Sequence, residues 1–284
     1  MPLDTSTYSL ALLRVDGRRW NELRRCHAQV RTQAAADGSS TWEMGNTKVM
    51  CVLKGPSEPG PKRAGTVSVG GNTSGAGSET HAEVIVNIVV AGFSSVDRRR
   101  RGRTDKRIQE LSTTVARTLA AVMHTHLYPR SAITFSLHVL SQDGSLLAAL
   151  LNAATLAAVD AGIPMTDYVV ACSAGSTASD SAADNNASGA DAADPLLDLN
   201  LQEEQELPSL TVATLGATDR VAALVCESRV QASRLEGMLA VAVDGCKQVR
   251  ALVDRVVREA GLAIVKEGGG GAPEQVLSSM DIDP

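Results

Sequence analysis

Aromatic residues are scarce in this chain: phenylalanine, tyrosine and tryptophan together make up 2% of its 284 residues. Hydrophobic residues nevertheless reach 44%, which is enough for the core of one large domain or two small ones. We therefore expect a core built mainly from valine, leucine, isoleucine and alanine.

Cysteine pairs and several familiar catalytic motifs are also missing. The five cysteines form no Cys-x-x-Cys pair and are odd in number, which favours reduced thiols over a disulfide framework or a zinc site. The sequence contains no Gly-x-Ser-x-Gly, P-loop or dinucleotide-binding glycine pattern and no His-Glu-x-x-His. These absences count against serine hydrolases, NTPases and dinucleotide enzymes, and we expect no metal or cofactor.

Targeting and membrane signals are not evident either. The chain begins without a basic segment followed by an apolar one, and no apolar run is long enough to span a membrane. The net charge of -5 argues against a general nucleic-acid binder, so any basic surface must be local. We expect a soluble protein of the cytosol or nucleus.

The first half of the chain predicts a hairpin at 42–54 around Gly45-Asn46, and strands at 81–93 and 131–142. Apolar residues three and four apart predict a helix from Ile108 onward, with Thr104 as its N-cap. The next helix, which starts near residue 146, is apolar nearly all round and should be buried on most sides.

The second half predicts strands at 167–175, in "LLDLN" (196–200), in "SLTVATLG" and in "RVAALVCESRV", then a long amphipathic helix or a helix pair. Strands followed by a helix occur in both halves, which indicates an α+β fold with two β-α halves around a junction near residue 165. The predicted divisions are an N-terminal extension at 1–13, a first half at 14–165, a second half at 166–262 with a disordered insertion at 176–195, and a flexible tail at 263–284.

Asp143-Gly144-Ser145 forms a small polar turn directly before the buried helix. A helix N-terminus presents free N–H groups, and glycine lets an anion approach the backbone, so a phosphate could bind here. The alternative is a plain strand-to-helix turn with Ser145 as the cap.

A basic run follows the strand at 81–93. It consists of Arg98, Arg99, Arg100 and Arg101, with Arg103, Lys106 and Arg107 close behind. Cations near a helix N-terminus are disfavoured by about 0.3–1 kcal/mol each, and bound RNA phosphates would remove that penalty. A solvated loop or a nuclear-import signal is the alternative.

Acidic residues cluster after "LLD": Asp198, Glu203, Glu204 and Glu206. Paired carboxylates can hold a divalent metal or act as a general acid. Exposed acidic loops are also common in proteins, so a solvated loop is the alternative.

Four stretches together are identified as typical of the ribonuclease PH family, in particular its eukaryotic exosome branch. They are "RVDGRRWNELRR" (14–25), "ADGSSTWEMGNTKVMCVLKGP" (36–56), "HLYPRSAITFSLHVLSQDGS" (126–145) and "LNAATLAAVDAGIPM" (151–165). The resemblance covers roughly residues 14–260. It implies a fold like the second domain of ribosomal protein S5, head-to-tail pairing with a subunit of the same fold, and a six-membered ring around a channel.

Active members of this family remove nucleotides from the 3′ end of RNA by phosphorolysis. Their phosphate site has Gly, then Ser or Thr, then Arg; Gly144 and Ser145 match, but Leu146 replaces the arginine. Asp198 matches the first catalytic Asp, whereas Glu204 stands where a second Asp is expected. The resemblance also aligns Lys106 and Arg107 with RNA-binding cations, and Arg98–Arg101 extend them.

The resemblance thus predicts a non-catalytic exosome ring subunit that binds single-stranded RNA and channels it to a separate 3′–5′ exoribonuclease. The expected partners are other ribonuclease PH-like subunits, S1/KH cap subunits, the hydrolytic nuclease and RNA, in the nucleus, nucleolus and cytoplasm. An active phosphate-dependent exoribonuclease and a purely structural ring subunit without RNA contact are the alternatives.

Overall fold

The computed structural model describes most of the chain between residues 13 and 267. The described residues are 13–58, 67–69, 81–95, 98, 105–177, 195–216, 218 and 220–267. The predictions made for 1–12, for Arg99–Arg101 and Arg103, for most of the 176–195 insertion and for the tail beyond 267 lie outside these residues.

A six-stranded sheet forms the first half. Its strands are β1 (Cys26–Val30), β2 (Gly38–Met44), β3 (Thr47–Ser57), β4 (Val67–Val69), β5 (Glu83–Val90) and β6 (Ala132–Ser141). They lie in the order β1-β2-β3-β6-β5-β4, with β5 and β6 parallel and all other neighbours antiparallel. The predicted hairpin is confirmed, because Met44 pairs with Thr47 around Gly45, which has a φ of 58°.

The parallel pair β5 and β6 needs a crossover connection, and helix α1 (Lys106–Val122) provides it. Ile108, Val115 and Leu119 of α1 are buried, as their spacing predicts. The N-cap is Asp105, whose carboxylate accepts a hydrogen bond from the backbone N–H of Arg107 at 3.3 Å. The prediction of Thr104 as the cap was therefore wrong by one residue.

A four-stranded antiparallel sheet forms the second half, entirely from residues after 165. Its strands are β7 (Val169–Ser176), β8 (Pro195–Leu197), β9 (Ser209–Leu215) and β10 (Val221–Cys226), in the order β10-β9-β7-β8. The short helix α3 (Leu201–Glu206) lies between β8 and β9, and the long helix α4 (Ala232–Glu267) packs against β7, β8 and β9.

Helix α2 (Leu146–Asp160) lies between the two sheets and contacts β2, β3 and β7. Every residue from Leu146 to Ala158 is buried, which explains why the helix is apolar all round. Its one buried amide, Asn152, donates to the carbonyl of Ala171 at 3.0 Å and accepts from the N–H of Ala171 at 2.8 Å. The two halves therefore share one continuous core.

The structure corrects several sequence-based boundaries. The predicted strand at 196–200 ends at Leu197 and leads into α3, which was not predicted. Ser176 and Pro195 belong to β7 and β8, so the insertion is shorter than 176–195. Helix α4 is a single helix that continues to Glu267, past the predicted start of the tail at 263. None of the helices in the described ranges is long and apolar enough to cross a membrane.

Candidate functional site

The turn before α2 has a left-handed backbone that fixes it against the segment after β8. Gly144 has a φ of 76° and Ser145 a φ of 52°. A Cβ atom on Gly144 would lie 2.5 Å from the carbonyl oxygen of Leu199 and 2.8 Å from the backbone nitrogen of Leu201. Glycine is required here by both conformation and space.

Ser145 occupies the N-cap position of α2, but its side chain makes no capping hydrogen bond. Its hydroxyl is buried and lies 3.0 Å from Asp198 Oδ1, 3.0 Å from the carbonyl oxygen of Leu199 and within hydrogen-bond distance of Ser173 Oγ. Ser145 is therefore at the cap position that the plain-turn alternative gave it, but its hydroxyl joins the turn to β7 and to the segment after β8 instead of capping the helix.

Asp198 is fully buried and has a φ of 54°. Its Oδ2 atom accepts hydrogen bonds from the backbone N–H and the Nε of Arg24, both at 2.9 Å, and its Oδ1 atom accepts from Arg24 Nη2 at 2.7 Å. Burial alone would raise the pKa of Asp198, but the hydrogen bonds and charge of Arg24 hold that pKa below its ordinary value of 3.8. The carboxyl group is therefore ionised at neutral pH.

An N-terminal segment, residues 14–24, holds this part of the site in place. Arg14 Nη2 donates to the carbonyl oxygen of Asp198 at 2.9 Å, and Arg18 donates to the same oxygen at 3.1 Å. Arg14 also forms a buried ion pair with Glu203. The arginine-rich composition of 14–25 was the only signal in the sequence for these contacts. It did not indicate that the partners of the arginines lie in the second half of the chain.

Glu204 belongs to helix α3, and its carboxylate lies against the start of α2. Its Oε2 atom accepts a hydrogen bond from the backbone N–H of Ser145 at 2.9 Å. Burial raises the pKa of Glu204 above 4.5, and the charge of Glu227 adds to this, although the Ser145 N–H and the charge of Arg107 act in the opposite direction. A carboxylate of the protein itself thus accepts a backbone hydrogen bond at the turn that the sequence offered as a possible phosphate site.

A cleft opens beside this helix start. Arg107, Leu146, Glu204 and Glu227 all line it. Leu146 is only 7% exposed and belongs to the main hydrophobic core. The structure therefore brings one predicted RNA-binding cation, Arg107, together with the degenerate phosphate turn and with two carboxylates.

The other predicted RNA-binding residues lie outside the cleft or beyond the described residues. Lys106 is exposed at the first position of α1, and Arg98 is exposed. Arg99, Arg100 and Arg101 are not among the residues that the structure describes.

The predicted acidic set does not form one cluster of carboxylates. Glu203 is buried against Arg14, Glu206 is exposed, and only Asp198 and Glu204 contact Ser145. In the part of the chain that the structure describes, no group of three or more His, Cys, Asp or Glu side chains is placed to hold a metal ion.

The fold is that of a ribonuclease PH protein. Residues 22–164 match the ribonuclease PH family, described as the 3′ exoribonuclease family, domain 1, and the chain belongs to that family. It is similar to the exosome complex component ski6 of Schizosaccharomyces pombe, with 37% identity over 251 residues that cover 88% of this chain and 93% of that protein. It is equally similar to the human exosome complex component RRP41, with 37% identity over 87% of this chain and 91% of that protein.

Two solved structures show the same fold. The crystal structure of rice (Oryza sativa) Rrp46 has a TM-score of 0.67 at 22% identity, over 86% of this chain and 100% of that one. The Archaeoglobus fulgidus exosome with RNA bound to the active site has a TM-score of 0.65 at 19% identity, over 87% of this chain and 95% of that one.

Proposed function

We propose that this chain is a non-catalytic core-ring subunit of an RNA exosome, which binds single-stranded RNA by its backbone and channels it to a separate 3′–5′ exoribonuclease. Relatives that it matches over most of both lengths are named exosome complex components. The partners are other ribonuclease PH-like ring subunits, S1/KH cap subunits and a hydrolytic nuclease.

The hydrogen bond between the Ser145 N–H and the Glu204 carboxylate carries the non-catalytic part of the proposal. Orthophosphate at this helix start would have to displace Glu204 and would be repelled by its charge. Leu146 supplies no compensating cation, and a charge-assisted hydrogen bond is worth about 1.5–3 kcal/mol. Removing one preorganised donor to the reacting charge commonly slows an enzyme by about 10²–10³.

The state of Asp198 supports the same conclusion. A general acid is most effective when its pKa lies near the working pH. The pKa of Asp198 is held below 3.8, and its carboxylate is surrounded by Arg24 and Ser145. It has no proton to give to a leaving group at neutral pH.

Exposed cations beside the cleft support RNA binding. Arg98, Lys106 and Arg107 are all exposed, but Arg107 lines the cleft together with the carboxylates of Glu204 and Glu227. We therefore assign the phosphate contacts chiefly to Arg98 and Lys106, together with Arg99–Arg101, and expect such binding to be independent of sequence and to weaken steeply with salt.

Phosphorolysis by the intact ring tests the first half of the proposal. The ring, with its nuclease partner made inactive in hydrolysis, is incubated with single-stranded RNA and orthophosphate, beside an active ribonuclease PH enzyme as the positive control. We expect no nucleoside diphosphate from the ring. Release of nucleoside diphosphate that depends on this subunit would instead support an active phosphorolytic enzyme.

RNA protection by the ring tests the second half. The double variant Arg98→Glu, Lys106→Glu should lose RNA protection at physiological salt. Its matched control is Lys247→Glu, Arg255→Glu, which makes the same change in net charge at exposed positions of α4. Equal protection by both variants and the wild type would favour a purely structural subunit.

A further inference from the structure

Phe93 is an exposed aromatic residue in a chain that has very few. The sequence contains two phenylalanines. Phe135 is completely buried, whereas Phe93 is 68% exposed, a larger fraction than any other large hydrophobic side chain in the described ranges. The hydrophobic effect opposes this placement, so the exposed ring calls for an explanation.

The turn that carries Phe93 is held firmly by backbone hydrogen bonds. Ala91 N–H donates to the carbonyl of Val139 at 3.0 Å, and Ser94 N–H donates to the carbonyl of Ala91 at 3.0 Å. The carbonyl of Ser94 in turn accepts from the N–H of Gln142 at 3.0 Å. Phe93 is therefore presented to solvent by a turn fixed to the end of β6, and not by a frayed segment.

This turn lies at the rim of the cleft described above. Val90, the last residue of β5, and Gln142, which bonds to the turn, both line that cleft together with Arg107 and Leu146. Arg98 follows Phe93 by five residues and is exposed. An aromatic ring and a set of cations are thus close together along the same stretch of chain.

We propose that Phe93 is a stacking platform for one base of the single-stranded RNA whose phosphates the neighbouring cations bind. This inference rests on the proposed function and adds a base contact to it. Proteins that bind single strands without sequence preference combine cations that follow the backbone with aromatic rings on which bases stack. Every base has a π face, so such a contact suits a subunit that handles many RNAs.

The surroundings of Phe93 favour an RNA base over a protein partner. Its neighbours in sequence, Ala91, Gly92, Ser94 and Ser95, are small, so they add little apolar surface to that of the ring. The core of a protein interface is a group of apolar side chains. The apolar side chains of strand β10, at the edge of the second sheet, suit a protein interface better than Phe93 does. Among them, Val221 is 45% exposed and Leu224 is 51% exposed.

The test separates base stacking from phosphate binding. The assembled complex, with its nuclease inactive, is titrated with a single-stranded RNA and with an oligomer of the same length and charge whose central nucleotides are abasic. Phe93→Ala should weaken RNA binding by about tenfold and leave binding of the abasic oligomer unchanged. Phe93→Leu should behave like Phe93→Ala, whereas Phe93→Tyr should bind like the wild type.

Each remaining outcome decides between the two proposals. If Phe93→Ala binds RNA as the wild type does, while Arg98→Glu, Lys106→Glu weakens both probes, stacking is wrong and the proposed function stands. If the wild-type complex binds neither probe, both proposals fail. If Phe93→Ala and Phe93→Leu reduce ring assembly in gel filtration, Phe93 is a subunit contact and the stacking proposal is overturned.

Discussion

Arg24 donates three hydrogen bonds to the fully buried carboxylate of Asp198, from its backbone N–H, its Nε and its Nη2 atoms. These two residues are 174 positions apart in the chain. The pair fixes the left-handed backbone at Asp198 and, through the hydroxyl of Ser145, the start of α2. The ion pair is thus a structural element of the site.

Removal of Arg24 should destabilise the protein strongly. Arg24→Met leaves Asp198 ionised and without its main partner in the interior, which commonly costs about 3–5 kcal/mol. Replacing both residues, as Arg24→Met with Asp198→Asn, should recover part of that loss because no buried charge remains. Urea denaturation of the full-length chain at pH 7 measures both effects. If Arg24→Met alone were as stable as the wild type, the structural role of the pair would be contradicted.

The two acidic residues at Ser145 should respond to pH in opposite directions. The pKa of Asp198 is lowered by Arg24, so its contribution to stability is present above pH 3.8 and is lost as the pH falls through the folded-state value. The pKa of Glu204 is raised, chiefly by burial, so its ionised form disfavours folding at neutral pH and this penalty disappears below pH 4.5.

We therefore expect Glu204→Gln to be more stable than the wild type at pH 7 and equal to it below pH 4.5. Asp198→Asn should be less stable than the wild type at pH 7, and the difference should shrink in acid. Urea denaturation between pH 3 and 7 provides the comparison. A loss of stability in Glu204→Gln at pH 7 would mean that the carboxylate at the start of α2 is favourable.

Gly144 and Gly162 form a matched pair for testing the turn. Both have positive φ angles, 76° and 69°, but a Cβ on Gly144 would meet backbone atoms of Leu199 and Leu201, whereas one on Gly162 would meet nothing within 4 Å. Gly162→Ala should cost only the left-handed strain of about 1–2 kcal/mol. Gly144→Ala should cost clearly more, because two backbone segments must separate. If thermal unfolding shows the same loss of stability in both variants, the close contact between Gly144 and the Leu199–Leu201 backbone is excluded.

Arginine at position 146 should not restore phosphorolysis. Leu146 is part of the core, and Glu204 lies beside it at the helix start. A guanidinium introduced by Leu146→Arg would pair with that carboxylate before it could bind phosphate. We expect no nucleoside diphosphate from the ring that carries Leu146→Arg, with Leu146→Met as the control for folding. Measurable phosphate-dependent release would show that the missing cation was the only defect.

Local patterns in the sequence predicted much of the fold. The spacing of Ile108, Val115 and Leu119 predicted α1, and Gly45-Asn46 predicted the β2–β3 hairpin, because both signals depend on near neighbours. Helix α3 was missed since it is short and begins soon after β8, which ends at Leu197. Its first turn is fixed by Asn200 and Glu203, a capping pair whose pattern is weak in isolation.

The candidate site was predictable in its residues but not in its contacts. Gly144, Ser145, Leu146, Asp198 and Glu204 were all identified from the sequence, and the structure places them around one helix start. The roles of Arg14 and Arg24 were missed, because each depends on a partner more than 170 residues away. Pairing over such a sequence separation is set by the tertiary fold and produces no periodic pattern in the sequence.

Because these partners are far apart in the sequence, the order of synthesis limits when their ion pairs can form. Arg14 and Arg24 leave the ribosome early, whereas Glu203 and Asp198, which are 189 and 174 positions later, emerge only when most of the chain has been synthesised. The buried guanidinium groups must therefore remain hydrated until then. The start of α2 can acquire its final shape only after translation has passed β8 and α3.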